Sequence, residues 1–259
     1  MGERIEGFHF GPPDRRLFGV FHATTETPQA AVLMCPPLLH EYARSYRFFA
    51  GVAGLFADAG LACLRFDYHG TGDADGDSEA FDPLRARDDI ASAAEALRER
   101  TDGAPLILLG IRASAMLARA CASDIYASSL WLWQPVLDAA AYLAELDALD
   151  AAERGSRLRY PLVRRGPPAQ ENELMGFVLA PGFREGLGLV AEAGADPGLP
   201  VAVLDRADRL AAHDGATAAI ELAGPVTDWT GQVEMEGLVP LRPAGTVVDM
   251  LVADLEQWA

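Results

Sequence analysis

The 259-residue chain contains no lysine, since all 21 of its basic residues are arginine. A lysine Schiff base and a lysine general base are therefore excluded. The 38 acidic residues give a formal net charge of −17 and an isoelectric point near 4.6. Because a chain of this charge repels polyanions, neither nucleic acid nor an anionic membrane surface is an expected partner.

Cysteine is scarce, and long apolar runs are missing. The three cysteines, Cys35, Cys63 and Cys121, match neither a disulfide framework nor a zinc motif. We expect Cys35 and Cys63, which lie in apolar runs, to be core residues. No run of about 18 apolar residues could cross a membrane, and the first residues do not resemble a secretory signal. The sequence predicts a cytoplasmic protein without a metal ion or a cofactor.

Apolar runs that alternate with helical patterns are what the sequence does contain. Buried strands are predicted at 30–37, 61–67, 105–110, 129–136 and 199–205, and helices at about 48–59, at 83–101 and from residue 113. An N-terminal β-hairpin turns at 11–14, and an apolar stripe from Val248 to Trp258 predicts a closing helix. Strands that are apolar throughout are typical of a mostly parallel sheet with helices on both faces.

The segment 138–198 is too long for a simple crossover between two strands. Its pattern is helical and is interrupted by RRGPPAQENE. We therefore predict a helical cap at 138–198 over the carboxyl end of the sheet, inserted into a core formed by 1–137 and 199–259. Core and cap are expected to form one compact domain. An apolar cap is also a common contact between subunits, so a homodimer is an expectation.

Three stretches resemble the α/β-hydrolase superfamily. CPPLLHEYARSYRFF (35–49) resembles its oxyanion loop and first helix, and LRFDYHGTGDADG (64–76) resembles a loop that often reads D-x-x-G-x-G-x-S. LILLGIRASAMLA (106–118) resembles its nucleophile elbow, where a strand turns sharply into a helix. WLWQPVLDAAAYLAEL and ENELMGFVLAP further resemble a bacterial branch that includes exosortase-A-associated hydrolase-like proteins. The resemblance implies an α/β-hydrolase fold.

The same resemblance indicates a degenerate catalytic triad. In a G-x-S-x-G pattern aligned on Gly110, Arg112 occupies the nucleophile position and Ser114 replaces the second glycine. No histidine follows His213, so the loop at 234–245, where the superfamily places its catalytic histidine, has none. Loss of a nucleophile or its base costs roughly 10⁴–10⁶-fold in turnover. An ordinary Ser-His-Asp hydrolase is therefore disfavoured, although the branch tolerates arginine at this position.

Arg112 is the first candidate functional residue. A guanidinium stays protonated and so is neither a nucleophile nor a base. It can bind a carboxylate, a phosphate or a polarised carbonyl through two parallel hydrogen bonds. A buried arginine also requires a partner. The sequence leaves four alternatives open: Glu41, Asp67, Asp208 or a ligand.

His40 is the second candidate, because it follows Pro36 and Pro37 in the predicted oxyanion loop. There it could donate to a carbonyl or act as a general acid or base. The alternative is a structural turn in which His40 pairs with Glu41 or Arg44. The predicted substrate-binding residues are Glu41, Leu39, Ile111 and Gln134, the last of which stands where the branch would have an aspartate.

Further candidates each have a structural alternative. Ser114 could be a misplaced nucleophile, or a small residue in close helix packing that also caps the helix. His69 could be catalytic, or structural in its loop, and His213 could form a solvated turn. Asp205 and Asp208 follow the last predicted strand, where the superfamily often keeps its acid. The acidic loop after His69 lacks the register of a calcium site.

Three hypotheses follow from the missing serine and histidine. The first is an enzyme of non-standard mechanism that uses His40 and Arg112 to bind and polarise an ester, thioester or carboxylate. The second is a pseudo-hydrolase that binds a ligand or a partner without turnover. The third, disfavoured, is a conventional serine esterase or thioesterase that uses Ser114.

Overall fold

The computed structural model describes residues 4–156, 172–194, 198–213, 215–224 and 241–258. The strands are β1 (Ile5–Phe10), β2 (Leu17–His22), β3 (Ala30–Cys35), β4 (Leu61–Asp67), β5 (Leu106–Ile111), β6 (Ser129–Trp133), β7 (Glu173–Leu174), β8 (Phe177–Val178), β9 (Val201–Asp205) and β10 (Ala218–Glu221). The helices are α1 (Leu39–Asp58), α2 (Ala86–Arg100), α3 (Ser114–Cys121), α4 (Ala139–Gly155), α5 (Phe183–Ala193), α6 (Ala207–Leu210) and α7 (Leu241–Trp258), and Ser78–Ala80 forms a 3₁₀ turn.

Eight strands form one mostly parallel sheet in the order β1-β2-β4-β3-β5-β6-β9-β10. The six neighbouring strands β4, β3, β5, β6, β9 and β10 pair in parallel. The strand β2 pairs antiparallel with both β1 and β4. The predicted hairpin and the mostly parallel sheet are both confirmed. The strands β7 and β8 form a separate antiparallel pair.

Helices cover both faces of the sheet, as predicted. Residues of α1 and α7 share a buried core with one face, and residues of α2, α3, α4 and α5 share a core with the other. The alternation within β5 explains this arrangement. Leu106 and Leu108 face the second core while Ile107, Leu109 and Ile111 face the first, so a continuous apolar run is buried on both sides.

The structure departs from the sequence prediction where elements are short or where the backbone turns early. The strand predicted to reach residue 136 ends at Trp133, because Gln134 adopts a φ of 43°. The four-residue β10 and the two-residue β7 and β8 were not predicted, since such lengths carry no measurable periodicity. The predicted polar loop after β4 contains the 3₁₀ turn.

Within the predicted cap, α4 and α5 lie on either side of the β7–β8 pair in the chain. The buried side chains of α5 include Phe183, Leu187 and Val190, and they join the core that contains α3. Residues 157–171 and 195–197 are outside the described part of the chain, and the cap boundaries remain a prediction. None of the described helices is both long and apolar enough to cross a membrane.

Candidate functional site

The turn between β5 and α3 has the geometry of a nucleophile elbow. Arg112 at its apex has a φ of 53°, in the left-handed region that costs a residue with a Cβ roughly 1–2 kcal/mol. Its backbone N–H donates to the Trp133 carbonyl at 3.0 Å, and its carbonyl accepts from the Val136 N–H at 3.1 Å. Gly110 allows the helix to approach, because a Cβ there would lie 2.8 Å from the Ala115 Cα.

Two further non-glycine residues with a positive φ follow the strands that neighbour β5 in the sheet. Leu39 (φ 54°) follows β3, Gln134 (φ 43°) follows β6, and both strands flank β5. Strained backbone of this kind concentrates at functional sites. The three residues therefore mark the carboxyl ends of β3, β5 and β6 as the candidate site.

The Arg112 side chain is buried in an ion pair with Glu41. Arg112 Nε donates to Glu41 Oε1 at 2.9 Å, and Arg112 Nη1 donates to the Gln134 carbonyl at 3.3 Å. The hydroxyl of Tyr142 on α4 donates to Glu41 Oε2 at 3.3 Å. The two charged side chains are only 7% and 3% exposed. Of the acids that the sequence allowed as partners, Glu41 is the one that contacts Arg112.

The electrostatics of this pair are dominated by burial. Burial raises the pKa of the Glu41 carboxyl, while the charge of Arg112 and the bonds from Arg112 and Tyr142 oppose that rise. Burial and the Glu41 charge also raise the pKa of the Tyr142 hydroxyl. Arg112 therefore has an internal counter-ion, with which an anionic ligand would have to compete.

His40 lies in the first turn of α1 and is 8% exposed. Its Nδ1 is buried and forms no hydrogen bond with the described residues, so Nδ1 does not make the predicted structural pairing with Glu41 or Arg44. Burial, reinforced by the charges of Arg44 and Arg112, lowers the pKa of His40 to about 4. The imidazole is therefore neutral at neutral pH.

Ser114 is fully buried, and its hydroxyl is occupied. Its Oγ donates to the Pro36 carbonyl at 2.5 Å and accepts from the Tyr68 hydroxyl at 3.3 Å. The predicted capping role is wrong, since α3 has no side-chain cap hydrogen bond. Because this hydroxyl donates to the backbone just after β3, Ser114 links the loop that follows β3 to the elbow.

His69 and Asp208 lie away from the Arg112 ion pair. The backbone N–H of His69 donates to Asp89 at 3.1 Å, and the buried Nδ1 of its ring forms no hydrogen bond with the described residues. Asp89 is itself held by a buried ion pair with Arg15 at 2.7 Å. Asp208 is exposed and pairs with Arg206 at 3.0 Å.

Asp205 and His213 are brought together at the carboxyl end of β9. His213 Nε2 lies 3.8 Å from Asp205 Oδ2, and the side chains are 16% and 1% exposed. The chain does turn at His213, since the Ala216 N–H donates to its carbonyl at 3.0 Å, but the ring is largely buried and not solvated as predicted. Residues 225–240, which hold most of the loop expected to carry a catalytic histidine, lie outside the described residues.

A cavity of about 110 Å³ opens beside the loop that follows β3. Its apolar lining comes from Pro37, Leu38, Leu39, Phe81, Phe177 and Leu179, and its polar lining from Tyr42, Thr71, Ser78, Gly70 and Gly72. No charged side chain lines it among the residues that the structure describes. Leu39 is the one predicted binding residue in this wall, and Ile111 instead lines a second cavity under α1.

The loop that closes this cavity depends on Asp67, which was expected only as a possible partner of Arg112, and on Tyr42, Asp73 and Gly72, which the sequence analysis did not select. Asp67 accepts hydrogen bonds from the Tyr42 hydroxyl at 2.6 Å and from the Asp73 N–H at 2.9 Å. A Cβ on Gly72 would lie 2.2 Å from Asp67 Oδ2, so only glycine fits there. The signal that could have identified them is the D-x-x-G-x-G spacing of the loop.

Comparison with solved structures supports the assignment of the fold. No protein-family model matches the chain, and no curated protein matches it. An open-form lipase matches with 16% identity over 98% of this chain and 99% of that one, with a TM-score of 0.63. Est1E from Butyrivibrio proteoclasticus, solved with ferulic acid, matches with 12% identity over 97% and 98% and a TM-score of 0.61. An α/β serine hydrolase homologue from Coxiella burnetii matches with 13% identity over 98% of each chain and a TM-score of 0.57. The chain therefore has the α/β-hydrolase fold.

Proposed function

We propose that this α/β-hydrolase-fold protein binds a small neutral acyl compound, an ester or thioester, without a serine nucleophile. The observation that carries the proposal is the elbow itself. Its strained backbone is kept, but Arg112 at the apex is buried against Glu41 at 2.9 Å. Ser114, the alternative nucleophile, is fully buried with its hydroxyl on the Pro36 carbonyl. A hydrolase-like scaffold thus holds a cation where attack on a substrate would begin.

The chemistry of the 110 Å³ cavity supports a neutral ligand. An apolar cavity of about 150 Å³ holds benzene, so this one suits an acyl group of roughly four to six carbons. The Ser78 hydroxyl can donate to its carbonyl oxygen, whereas the Thr71 hydroxyl already donates to the Tyr68 carbonyl at 2.8 Å. A carboxylate on Arg112, which the sequence also allowed, would compete with Glu41 for the buried guanidinium.

Turnover by His40 is the second candidate function. The unpartnered Nδ1 of His40 favours it, because a buried imidazole without a partner is available to a reacting group. Its pKa of about 4 argues against it. A general base works best when its pKa is near the operating pH, so His40 accepts a proton poorly at neutral pH. Ligand binding without turnover is therefore the stronger proposal.

A binding experiment with two matched variants tests the ligand. Binding of ethyl butyrate is followed by ligand-observed NMR. Leu179→Phe fills the cavity and should abolish binding, whereas Leu189→Phe, at a 49% exposed position on α5, should not change it. Equal binding by wild type and both variants would refute the cavity assignment. Thermal unfolding of each variant shows that the fold is retained.

A chemical experiment separates binding from catalysis. A fluorophosphonate probe should not label the wild-type protein. The wild type should hydrolyse p-nitrophenyl butyrate no faster than the His40→Gln variant does. Labelling at Ser114 would overturn the proposal in favour of a serine hydrolase. Hydrolysis that His40→Gln removes, with binding intact, would establish the second candidate instead.

A further inference from the structure

The second cavity, of about 190 Å³, lies on the α1 side of the sheet against β2, β3 and β4. Val20, Met34 and Phe49 contribute apolar walls. Its rim includes Tyr46 and Asp73, whose side chains are exposed. It shares Pro37 and Tyr42 with the proposed acyl cavity, but Leu39, Phe177 and Leu179 line the acyl cavity alone, so the proposed acyl site does not account for this cavity.

A half-buried arginine on β4 faces this cavity. The strand register places Arg65 between Val20 on β2 and Met34 on β3. Its Nε donates to His22 Nε2 at 3.4 Å, while its terminal nitrogens bond to no described residue. Among the described side chains, no carboxylate lies within 4 Å of the Arg65 guanidinium, although the chain has 38 acidic residues. This cation is therefore available to a ligand, since a guanidinium binds a planar carboxylate through two hydrogen bonds.

His22 orients the Arg65 guanidinium. Burial and the charge of Arg65 lower the pKa of His22 to about 4, so its ring is neutral and accepts the Nε hydrogen bond. With Nε directed to His22, the two terminal nitrogens of Arg65 remain for the cavity. Two strands thus hold the cation in a fixed position, as a binding site requires.

Most other polar groups of the cavity are already bonded within the protein. The Tyr42 hydroxyl donates to Asp67, and the Ser45 hydroxyl donates to the Glu41 carbonyl at 2.7 Å. Asp67 also accepts from the Asp73 N–H. The Asp73 carboxylate, by contrast, forms neither a hydrogen bond nor an ion pair within the described part of the chain. The cavity therefore offers one unpaired cation and one unpaired carboxylate.

We propose that this cavity binds an apolar α-amino acid. Its carboxylate would bond to the terminal nitrogens of Arg65, its ammonium would face Asp73, and its side chain would lie against Phe49 and Met34. A plain carboxylic acid fits less well, because Asp67, Asp73 and the net charge of −17 repel an anion. The volume of 190 Å³ exceeds the roughly 150 Å³ that holds a benzene ring.

Calorimetric titration with phenylalanine and its two truncated analogues tests the proposal. Phenylalanine should bind about tenfold or more tightly than 3-phenylpropionate and phenethylamine, because each analogue loses one charged hydrogen-bonding group. Arg65→Gln should weaken phenylalanine binding by about tenfold or more. Asp73→Asn should weaken phenylalanine binding but strengthen binding of 3-phenylpropionate. The control Arg209→Gln, at an exposed arginine outside the lining, should change nothing.

Three results would overturn the proposal: no phenylalanine binding at millimolar concentration, unchanged binding in Arg65→Gln, or tighter binding of 3-phenylpropionate than of phenylalanine. If Arg65→Gln fails to fold, Val20→Phe replaces it as the test, since it fills the cavity and keeps the cation. Val20→Phe must then abolish binding. Leu179→Phe should not affect phenylalanine binding, so this inference and the proposed acyl site fail or succeed separately.

Discussion

Replacing Arg112 by methionine should destabilise the protein through the acid that it leaves behind. The substitution removes the guanidinium and keeps an unbranched apolar side chain in the same strained turn. Glu41, at 3% exposure, then keeps only the hydrogen bond from the Tyr142 hydroxyl. Removing one partner of a buried ion pair costs about 3–5 kcal/mol, and the lower end applies here because Tyr142 remains.

The loss of stability should depend on pH, and the ionisation of Glu41 determines the direction of that dependence. Burial raises the pKa of this carboxyl above its ordinary value of 4.5, and in the variant Arg112 no longer opposes that rise. The folded variant then holds a proton more strongly than the unfolded chain does. Its stability therefore falls as the pH rises from 4.5 towards the raised pKa of Glu41. The deficit relative to wild type is smallest at acidic pH, where the carboxyl is protonated, and grows as the pH rises above 4.5.

Urea unfolding of wild type, Arg112→Met and Arg112→Met/Glu41→Gln measures these terms. At about pH 7.5 the single variant should lose roughly 3 kcal/mol, which corresponds to about 6–12 °C in Tm. The second substitution removes the unpaired carboxylate and should restore about 2 kcal/mol. Asp208→Asn, in an exposed pair, should cost no more than about 1 kcal/mol. A double variant no more stable than Arg112→Met, or a pH-independent loss, would refute the reasoning.

The remaining predictions concern acid stability and one glycine. His40 and His22 both have a pKa of about 4 in the folded protein against 6.5 ordinarily, so stability should fall as the pH drops from 6.5 to 4. His40→Gln should remove up to about 3 kcal/mol of that dependence in urea titrations, and His22→Gln a comparable amount; a slope that neither variant changes would contradict this. Gly72→Ala should lower Tm strongly, because its Cβ would lie 2.2 Å from Asp67 Oδ2 at a φ of 54°. Gly176→Ala, also at a positive φ but with open space, should cost only about 1–2 kcal/mol, and equal losses would show that the contact with Asp67 is relieved.

The fold was predictable because burial on both faces leaves a strong pattern in the sequence. A continuous apolar run such as 106–111 would expose apolar side chains if one face of the strand met solvent, so it indicates a parallel sheet covered on both faces. The early end of β6 was not predictable. In the sequence, the apolar Pro135 and Val136 follow Gln134 and extend the pattern, but the strand ends at the positive φ of Gln134, whose N–H donates to the Leu204 carbonyl at 2.7 Å.

The position of Arg112 in the candidate site was predictable from the sequence, but the residues that contact Arg112 were not. Strand, turn and helix are local, so the position of Arg112 followed from a thirteen-residue stretch. Its counter-ion lies 71 residues away, and Glu41, Asp67 and Asp208 are chemically equivalent until the fold chooses between them. Gln134 illustrates the same limit, since it contacts Arg112 through its carbonyl oxygen, which every residue has.

A strained elbow with an arginine at its apex needs a physical reason, and the contacts of Arg112 provide one. Through Glu41 the guanidinium is joined to α1, through the Gln134 carbonyl to the end of β6, and through Glu41 and Tyr142 to α4. These elements surround the carboxyl ends of the central strands. A residue at a relaxed φ would direct its side chain elsewhere, so the strain, roughly 1–2 kcal/mol, is offset by a charged connection between elements distant in sequence. The elbow here holds the Arg112 cation in these contacts, and loss of the cation should loosen the walls of the proposed acyl cavity.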